Sequence, residues 1–197
     1  MKDEIIIAGF GGQGVLSMGK ILAYAALEND MEVTWMPSYG PEQRGGTANV
    51  TVILSDEPIS SPVLDTFDTA VILNQQSLDK FEPKVKKGGT LLYDPYGIHR
   101  APTRPDINAV AVPAMEATFE MGNSKTFNMI VLGGLLGVLG GIIMAQVISR
   151  VSQTPVAISI PAILISVLFS MVIGIVFGLL PSVQAANLDP IDALRHE

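Results

Sequence analysis

The sequence predicts an α/β fold over residues 1–125, a mostly parallel sheet with flanking helices, followed by a two-helix transmembrane hairpin. In the first part, short β-branched runs alternate with helical patterns, the signature of layered α/β structure. A glycine-rich turn comes directly after the first of those runs. Beyond Lys125 charge disappears, and Arg150 is the sole charged residue until Asp189. The stretches on either side of Arg150 each exceed the roughly 20 apolar residues that a bilayer span needs.

Taken in order, Glu4-Ile5-Ile6-Ile7-Ala8 is an apolar run ending in glycine, the pattern of a strand buried on both faces. Helical spacing follows, with Val15, Met18, Leu22, Ala25 and Ala26 on one side and Asn29-Asp30 at its close. Residues 33–36 give a second strand and 47–54 a third, alternating one. Residues 69–73 and 90–93 add two more, with a helix over 76–85 between them, and Lys84, Lys86 and Lys87 read as a solvated turn before Gly88-Gly89. Residues 109–112 predict the last strand, and a helix through Met115 and Phe119 follows it. In the apolar part, Gly133, Gly137, Gly141, Ala145 and Ser149 are spaced by four, as are Ala162, Ser166, Ser170, Gly174 and Gly178. Such small-residue stripes let helix backbones approach closely in lipid. Pro155 and Pro161 stand near the start of the second helix and Pro181 at its end, and Asp189-Pro190 caps a short cytoplasmic tail.

Charge narrows the function classes. Residues 1–125 hold 10 Lys or Arg against 16 Asp or Glu, and the whole chain has a formal net charge of −7. Nucleic-acid surfaces need clustered Lys and Arg to displace counterions, so no nucleic-acid partner is expected. There is no Cys, which excludes disulfides and thiolate-held iron–sulfur or zinc sites in this chain. The only histidines, His99 and His196, are far apart and read as surface residues, so no metal site is expected. The N-terminus lacks the basic and apolar regions of a secretory signal, which places the first part in the cytoplasm. Two spans would return the tail to that side.

Two loops carry the candidate site. Gly9, Gly11 and Gly14, with Gly12 and Gln13 between them, match G-x-G-x-x-G between a strand and a helix. Glycines there let backbone N–H groups approach an anion, and the helix N-terminus adds favourable partial charge. A dinucleotide site also wants an acid about 20 residues on, at the end of the second strand. That strand ends in Met36-Pro37-Ser38, so a nicotinamide cofactor is disfavoured; a ligand-free tight turn is the plain alternative. The second loop, Ser38-Tyr39-Gly40-Pro41-Glu42-Gln43-Arg44-Gly45-Gly46-Thr47, leaves that same strand end. Arg44 can act as a bidentate fork for carboxylate or phosphate, or pair with Glu42 and stiffen the loop. No acid–base pair suggests a catalytic residue.

The motifs GFGGQGV, SYGPEQRGGTANV, VILNQQSLDKF and NSKTFNMIVLGGLL resemble the gamma subunit of 2-oxoacid:ferredoxin oxidoreductases, closest to the 2-oxoglutarate type, over residues 3–136. The resemblance implies a small α/β subunit that joins alpha and beta subunits and is active only with them. Thiamine diphosphate, magnesium and the iron–sulfur cluster would sit on those partners, and ferredoxin and coenzyme A would be met through the complex. The loops at 9–14 and 38–46 would face partner subunits or coenzyme A.

The segments GGLLGVLGGIIMAQVIS, ISIPAILISVLFSMVIGIVFGLLP and AANLDPIDALRHE are similar to the C-terminal end of macrolide-exporter and lipoprotein-release type ABC transporter permeases, over residues 133–197. Those permeases need an earlier helix, an extracytoplasmic domain and an ATPase partner. The two resemblances overlap at 131–137, as a join through a shared string would. The expected organisation is a gamma-type domain at 1–130 and a permease-like membrane segment with a short tail at 131–197, with residues 128–180 in lipid. Three functions follow: a membrane-tethered oxidoreductase subunit, a permease fragment with a soluble head, or a free-standing nucleotide-binding module.

Overall fold

In the computed structural model, residues 2–40, 45–123 and 126–152 are described. The chain divides into two compact units, Met1–Val138 and Leu139–Glu197. The first contains a six-stranded sheet in the order β2-β3-β1-β4-β5-β6, formed by β1 (Lys2–Phe10), β2 (Glu32–Tyr39), β3 (Thr47–Ser55), β4 (Phe67–Ile72), β5 (Val85–Tyr93) and β6 (Asn108–Ala111). Its helices are α1 (Val15–Leu27), α2 (Gln75–Phe81), α3 (Ala114–Glu120) and the opening turns of α4 (Phe127–Ser152).

The sheet is mostly parallel, as expected, with one strand, β3, running the other way. Strands β1, β4, β5 and β6 pair in parallel, as expected. The third strand, however, turns back at the 40–46 connection and inserts antiparallel between β2 and β1. A hairpin needs only a short connection, whereas a parallel return would need a crossover of a dozen residues or more, and 40–46 cannot supply one. Pro37 sits inside β2 opposite Val50. Proline is tolerated there because β2 is an edge strand.

The helix expected over 76–85 is shorter than the pattern suggested. α2 closes at Phe81, a 3-10 turn at Glu82–Lys84 carries Pro83, and β5 begins at Val85. Proline at the second position of that turn removes the donor needed to extend the α-helix. Lys86 is therefore a strand residue, not part of a solvated turn. Its Nζ donates to Glu4 Oε2 at 2.7 Å and to Asp68 Oδ1 at 2.8 Å.

Packing follows the two faces of the sheet. On one, Ile6, Ala8, Phe67, Ala70, Ile72 and Leu91 pack with Leu78 and Phe81 of α2. On the other, α1 crosses β1, β2 and β3. Gly19 sets that approach: a Cβ there would lie 2.7 Å from Val50 Cγ1 and 3.1 Å from Val52 Cγ2.

The opening of α4 corrects the expected lipid segment. Phe127, Val131, Leu132 and Leu135 are buried within the first unit, and a Cβ on Gly134 would lie 3.1 Å from the methyls of Val112. These turns bury an amphipathic stripe against protein, so lipid cannot be their solvent. Beside them, Gly133, Gly137, Gly140 and Gly141 face open space. Phe127–Gln146 is the one stretch among the described residues long and apolar enough to cross a membrane, and 22% of its most apolar 18-residue window is buried. The second helix of the expected hairpin and the short tail lie outside the described residues.

Candidate ligand and partner site

The candidate site grows from the end of β1. Gly9 is the last core position: a Cβ on it would lie 2.6 Å from Gln13 Oε1 and 3.0 Å from Leu73 Cβ. Gln13 folds back over the strand end. Its Oε1 accepts from Phe10 N–H at 2.6 Å, and its own N–H donates to the Phe10 carbonyl at 3.2 Å. The Gln13 amide also reaches toward the Leu73 carbonyl at the end of β4, at 3.5 Å. Gly12 (φ 101°) and Gly14 (φ 77°) both take positive φ, where side chains with a Cβ are disfavoured.

Gly14 is the N-cap of α1, and no side chain caps that end. No acidic residue occupies the first turn either, so the partial positive charge of the helix start is left for another group to meet. Asn128 of α4 packs directly over it: a Cβ on Gly14 would lie 2.7 Å from Asn128 Cβ and 2.9 Å from Asn128 Nδ2.

The second loop is brought to the first by the antiparallel insertion. Gly9 pairs with Ala48 and Phe10 with Thr47, while Tyr39 pairs with Ala48 from the other side. Gly11 N–H donates to the Gly46 carbonyl at 2.9 Å, and Gly40 N–H to the Thr47 carbonyl at 3.3 Å. Between the loops lies a cavity of about 680 Å³. Among the anticipated residues, Gly11, Gly12, Gly14 and Tyr39 line it. Gly9 and Gln13 build the turn beneath, and Ser38 pairs with Asn49; Gly46 and Gly40 enter through the two backbone bonds above, and Gly45 takes a positive φ of 77° in the same loop without lining the cavity. Arg44 lies outside the described residues.

Sequence reasoning missed part of the lining. Phe10, Val15, Leu16, Ser17, Trp35 and Pro37 also contribute to it. Trp35 is the only tryptophan of the chain, and its place near the end of a strand beside the glycine turn was the available signal. Asn128 carried no such signal, because it is remote in sequence. The arrangement offers a largely uncharged cleft with backbone N–H groups at one end and aromatic rings at the other. Such a cleft suits binding, and among the described residues that line it there is no acid–base pair. Among the described residues no group of His, Asp and Glu could hold a metal ion.

The opposite end of the sheet carries the ionic chemistry. Lys86 bridges Glu4 and Asp68, and Lys2 pairs with Glu4 at 2.6 Å. Burial alone would raise the Glu4 carboxyl, but hydrogen bonds from Lys2 and Lys86 outweigh it and hold the pKa below its ordinary value. Burial raises Asp3, helped by the nearby Asp68 charge, and the Thr69 hydroxyl opposes this only in part. Elsewhere, Glu82 organises a loop: its Oε1 accepts from Arg104 N–H at 3.0 Å and from the Thr103 hydroxyl at 3.2 Å.

The pyruvate ferredoxin/flavodoxin oxidoreductase model matches residues 4–155. The chain belongs to this family. Among relatives, ketoisovalerate oxidoreductase subunit VorA of Methanothermobacter marburgensis is 46% identical over 139 residues, covering 70% of this chain and 29% of that protein. 2-Oxoglutarate synthase subunit KorC of the same organism is 36% identical over 147 residues, covering 71% of this chain and 79% of that protein. The chain thus spans under a third of the first relative and most of the second. Two solved structures share the fold. The gamma subunit of a keto/oxoacid ferredoxin oxidoreductase from Geobacter sulfurreducens has a TM-score of 0.61 at 30% identity, covering 71% of this chain and 77% of that one. The 2-oxoglutarate:ferredoxin oxidoreductase from Magnetococcus marinus, with 2-oxoglutarate, coenzyme A and succinyl-CoA bound, has a TM-score of 0.64 at 27% identity, covering 76% of this chain and 27% of that one.

A permease likeness is present too, but it is narrow. A stretch of 66 residues is 48% identical to the ABC transporter permease YvrN of Bacillus subtilis, covering 34% of this chain and 16% of that protein. So small a share of a permease carries no transport assignment.

Proposed function

We propose that this chain is the non-catalytic gamma-type subunit of a thiamine-diphosphate-dependent 2-oxoacid:ferredoxin oxidoreductase, active only in complex with alpha and beta subunits. The observation that carries this reading is the cleft in which the 9–14 turn and the 38–46 loop are joined by the Gly11–Gly46 hydrogen bond. Its chemistry fits coenzyme A. Backbone N–H groups at the start of α1 suit the pyrophosphate, and Trp35 and Tyr39 supply apolar surface for the remainder. Thiamine diphosphate, magnesium and the iron–sulfur cluster belong to partner subunits in this reading, and ferredoxin is met through them. The absence of Cys from the whole chain supports that division for the cluster. We assign the substrate as a 2-oxoacid. The KorC likeness favours 2-oxoglutarate because it spans most of that relative's length, while the higher identity of VorA makes a branched-chain 2-oxoacid the competitor.

The test is reconstitution of the full chain with its alpha and beta partners. Acceptor reduction is then followed with 2-oxoglutarate or 3-methyl-2-oxobutanoate, with and without coenzyme A. Coenzyme-A-dependent turnover that needs this chain supports the reading, and the preferred acid fixes the subtype. Turnover by the partners alone would overturn it. Stabilisation of the isolated chain by NAD or FAD would favour the nucleotide-module reading.

A second reading concerns the tether. The apolar sequence from Leu139 to Leu188, with Arg150 as its sole charge, is what supports a membrane-directed segment beginning after Val138, with the α/β unit on the cytoplasmic side. Recovery of the folded chain in a detergent-free supernatant would refute it.

A further inference from the structure

The glycine turn consumes most of its own donors. Phe10 N–H goes to Gln13 Oε1 at 2.6 Å, Gln13 N–H to the Phe10 carbonyl at 3.2 Å, and Gly11 N–H to the Gly46 carbonyl at 2.9 Å. The first N–H of α1 to find a partner is that of Met18, which donates to the Gly14 carbonyl at 2.9 Å. Val15, Leu16 and Ser17 therefore keep N–H groups without a partner among the described residues, as the opening of a helix with no capping side chain must. All three residues line the cavity of about 680 Å³.

Side-chain chemistry on that lining is sparse. Among the described residues that line the cavity none is charged, and only Ser17 and Tyr39 carry a hydroxyl. Ser17 stands on the same turn as the free N–H groups, and its hydroxyl makes no hydrogen bond to another described residue. It is also exposed, so no packing contact demands a small neutral side chain there. A solvent-facing position in the first turn of a helix favours Asp or Glu, whose charge meets the partial positive charge of the helix start. Ser17 forgoes that gain, and a carboxylate in its place would repel any anion held by the three N–H groups. Asn128, the other polar side chain at this turn, lies against Gly14 without lining the cavity.

We propose that Ser17 is a binding residue for coenzyme A: its hydroxyl donates to the pyrophosphate, and its neutrality keeps the α1 end of the cleft open to that anion. The proposal rests on the coenzyme A reading of the cleft and assigns one side chain within it. A hydroxyl and three backbone N–H groups offered to one anion make charge-assisted hydrogen bonds, which are shorter and stronger than neutral ones.

The experiment uses the full chain in two states: alone, for its thermal midpoint, and reconstituted with alpha and beta partners, for the coenzyme A KM at saturating 2-oxoacid. Ser17→Ala should raise that KM about ten-fold, as for loss of one hydrogen bond to a charged group, with kcat and the 2-oxoacid KM held within about two-fold. Ser17→Thr keeps the hydroxyl and should leave the coenzyme A KM near the unsubstituted value. Ser17→Glu should raise the KM about ten-fold beyond Ser17→Ala through like-charge repulsion. The thermal midpoint of the Ser17→Glu chain alone should nevertheless hold or rise by about 1–4 °C, because the new charge suits the helix start. A residue that only supported the helix would move stability and affinity in the same direction. An unchanged coenzyme A KM in Ser17→Ala or Ser17→Glu overturns the proposal. So does a Ser17→Glu chain that is both less stable and weaker for coenzyme A, the mark of a damaged helix. Full turnover of the unsubstituted complex without coenzyme A defeats the reading of the cleft itself, a failure seen before any variant is made.

Discussion

Replacing Gly14 by alanine separates protein from lipid as the surroundings of α4. Gly14 caps α1 with φ 77°, and a left-handed conformation costs an L-residue roughly 1–2 kcal/mol. The new methyl would also lie 2.7 Å from Asn128 Cβ, and overpacking of that kind adds about 1–3 kcal/mol. The sum is a loss of about 2–5 kcal/mol, or roughly 4–20 °C in Tm for a chain of this size. Trp35, the only tryptophan, lines the adjoining cleft and reports unfolding by fluorescence in urea. A double-mutant cycle divides the two causes. Asn128→Gly costs only about 0.3 kcal/mol on its own from helix propensity, because Asn is already a poor helix former, but it removes the atoms that the new methyl would strike. The pair should therefore be more stable than additivity allows by about 1–2 kcal/mol. If Gly14→Ala costs under about 1 kcal/mol and shows no coupling to Asn128, then α4 does not pack over the glycine turn, and the placement of residues 127–135 in the α/β unit is wrong.

Three further outcomes are expected. Leu135→Ala, at a position 1% exposed, should cost about 2–5 kcal/mol in chemical denaturation, whereas Leu136→Ala, one residue along and exposed, should stay within about 0.5 kcal/mol. Glu82→Ala strips acceptors from the Arg104 N–H and the Thr103 hydroxyl; it should cost about 1–3 kcal/mol and open the 99–106 segment to limited proteolysis. The pH dependence has a definite sign. The Glu4 carboxyl is held below its ordinary value, so its stabilising contribution is present above pH 4.5 and is lost as pH falls through the lowered pKa. Asp3 is raised and acts oppositely, favouring the fold below pH 3.8 and losing that contribution as pH rises through its folded value. Lys86→Met removes one of the two cations holding Glu4, so it should lower stability at pH 7 and flatten the loss on acidification. An acid limb as steep as that of the unsubstituted chain would show that the Lys86 pair is not responsible.

Local pattern determined much of this protein. The β-branched run ending in Gly9 and the glycines at 12 and 14 dictate a strand, a tight turn and a helix start, because each depends on neighbours within a few residues. The absence of Cys was equally decisive, since no arrangement in space can supply a missing thiolate. The lengths of α2 and β5 were less legible. The helical spacing ran on past Phe81, and the sheet claimed Lys86, whose partners Glu4 and Asp68 lie 82 and 18 residues away. The short 40–46 connection already makes β3 antiparallel to β2, and only tertiary structure decided that β3 inserts between β2 and β1. That insertion joins Gly11 to Gly46 and makes two separate loops into one cleft. Tertiary structure also decided the fate of residues 127–135. Their apolar stripe is as compatible with lipid as with protein by composition, and only the sheet and glycine turn beneath them distinguish the two solvents.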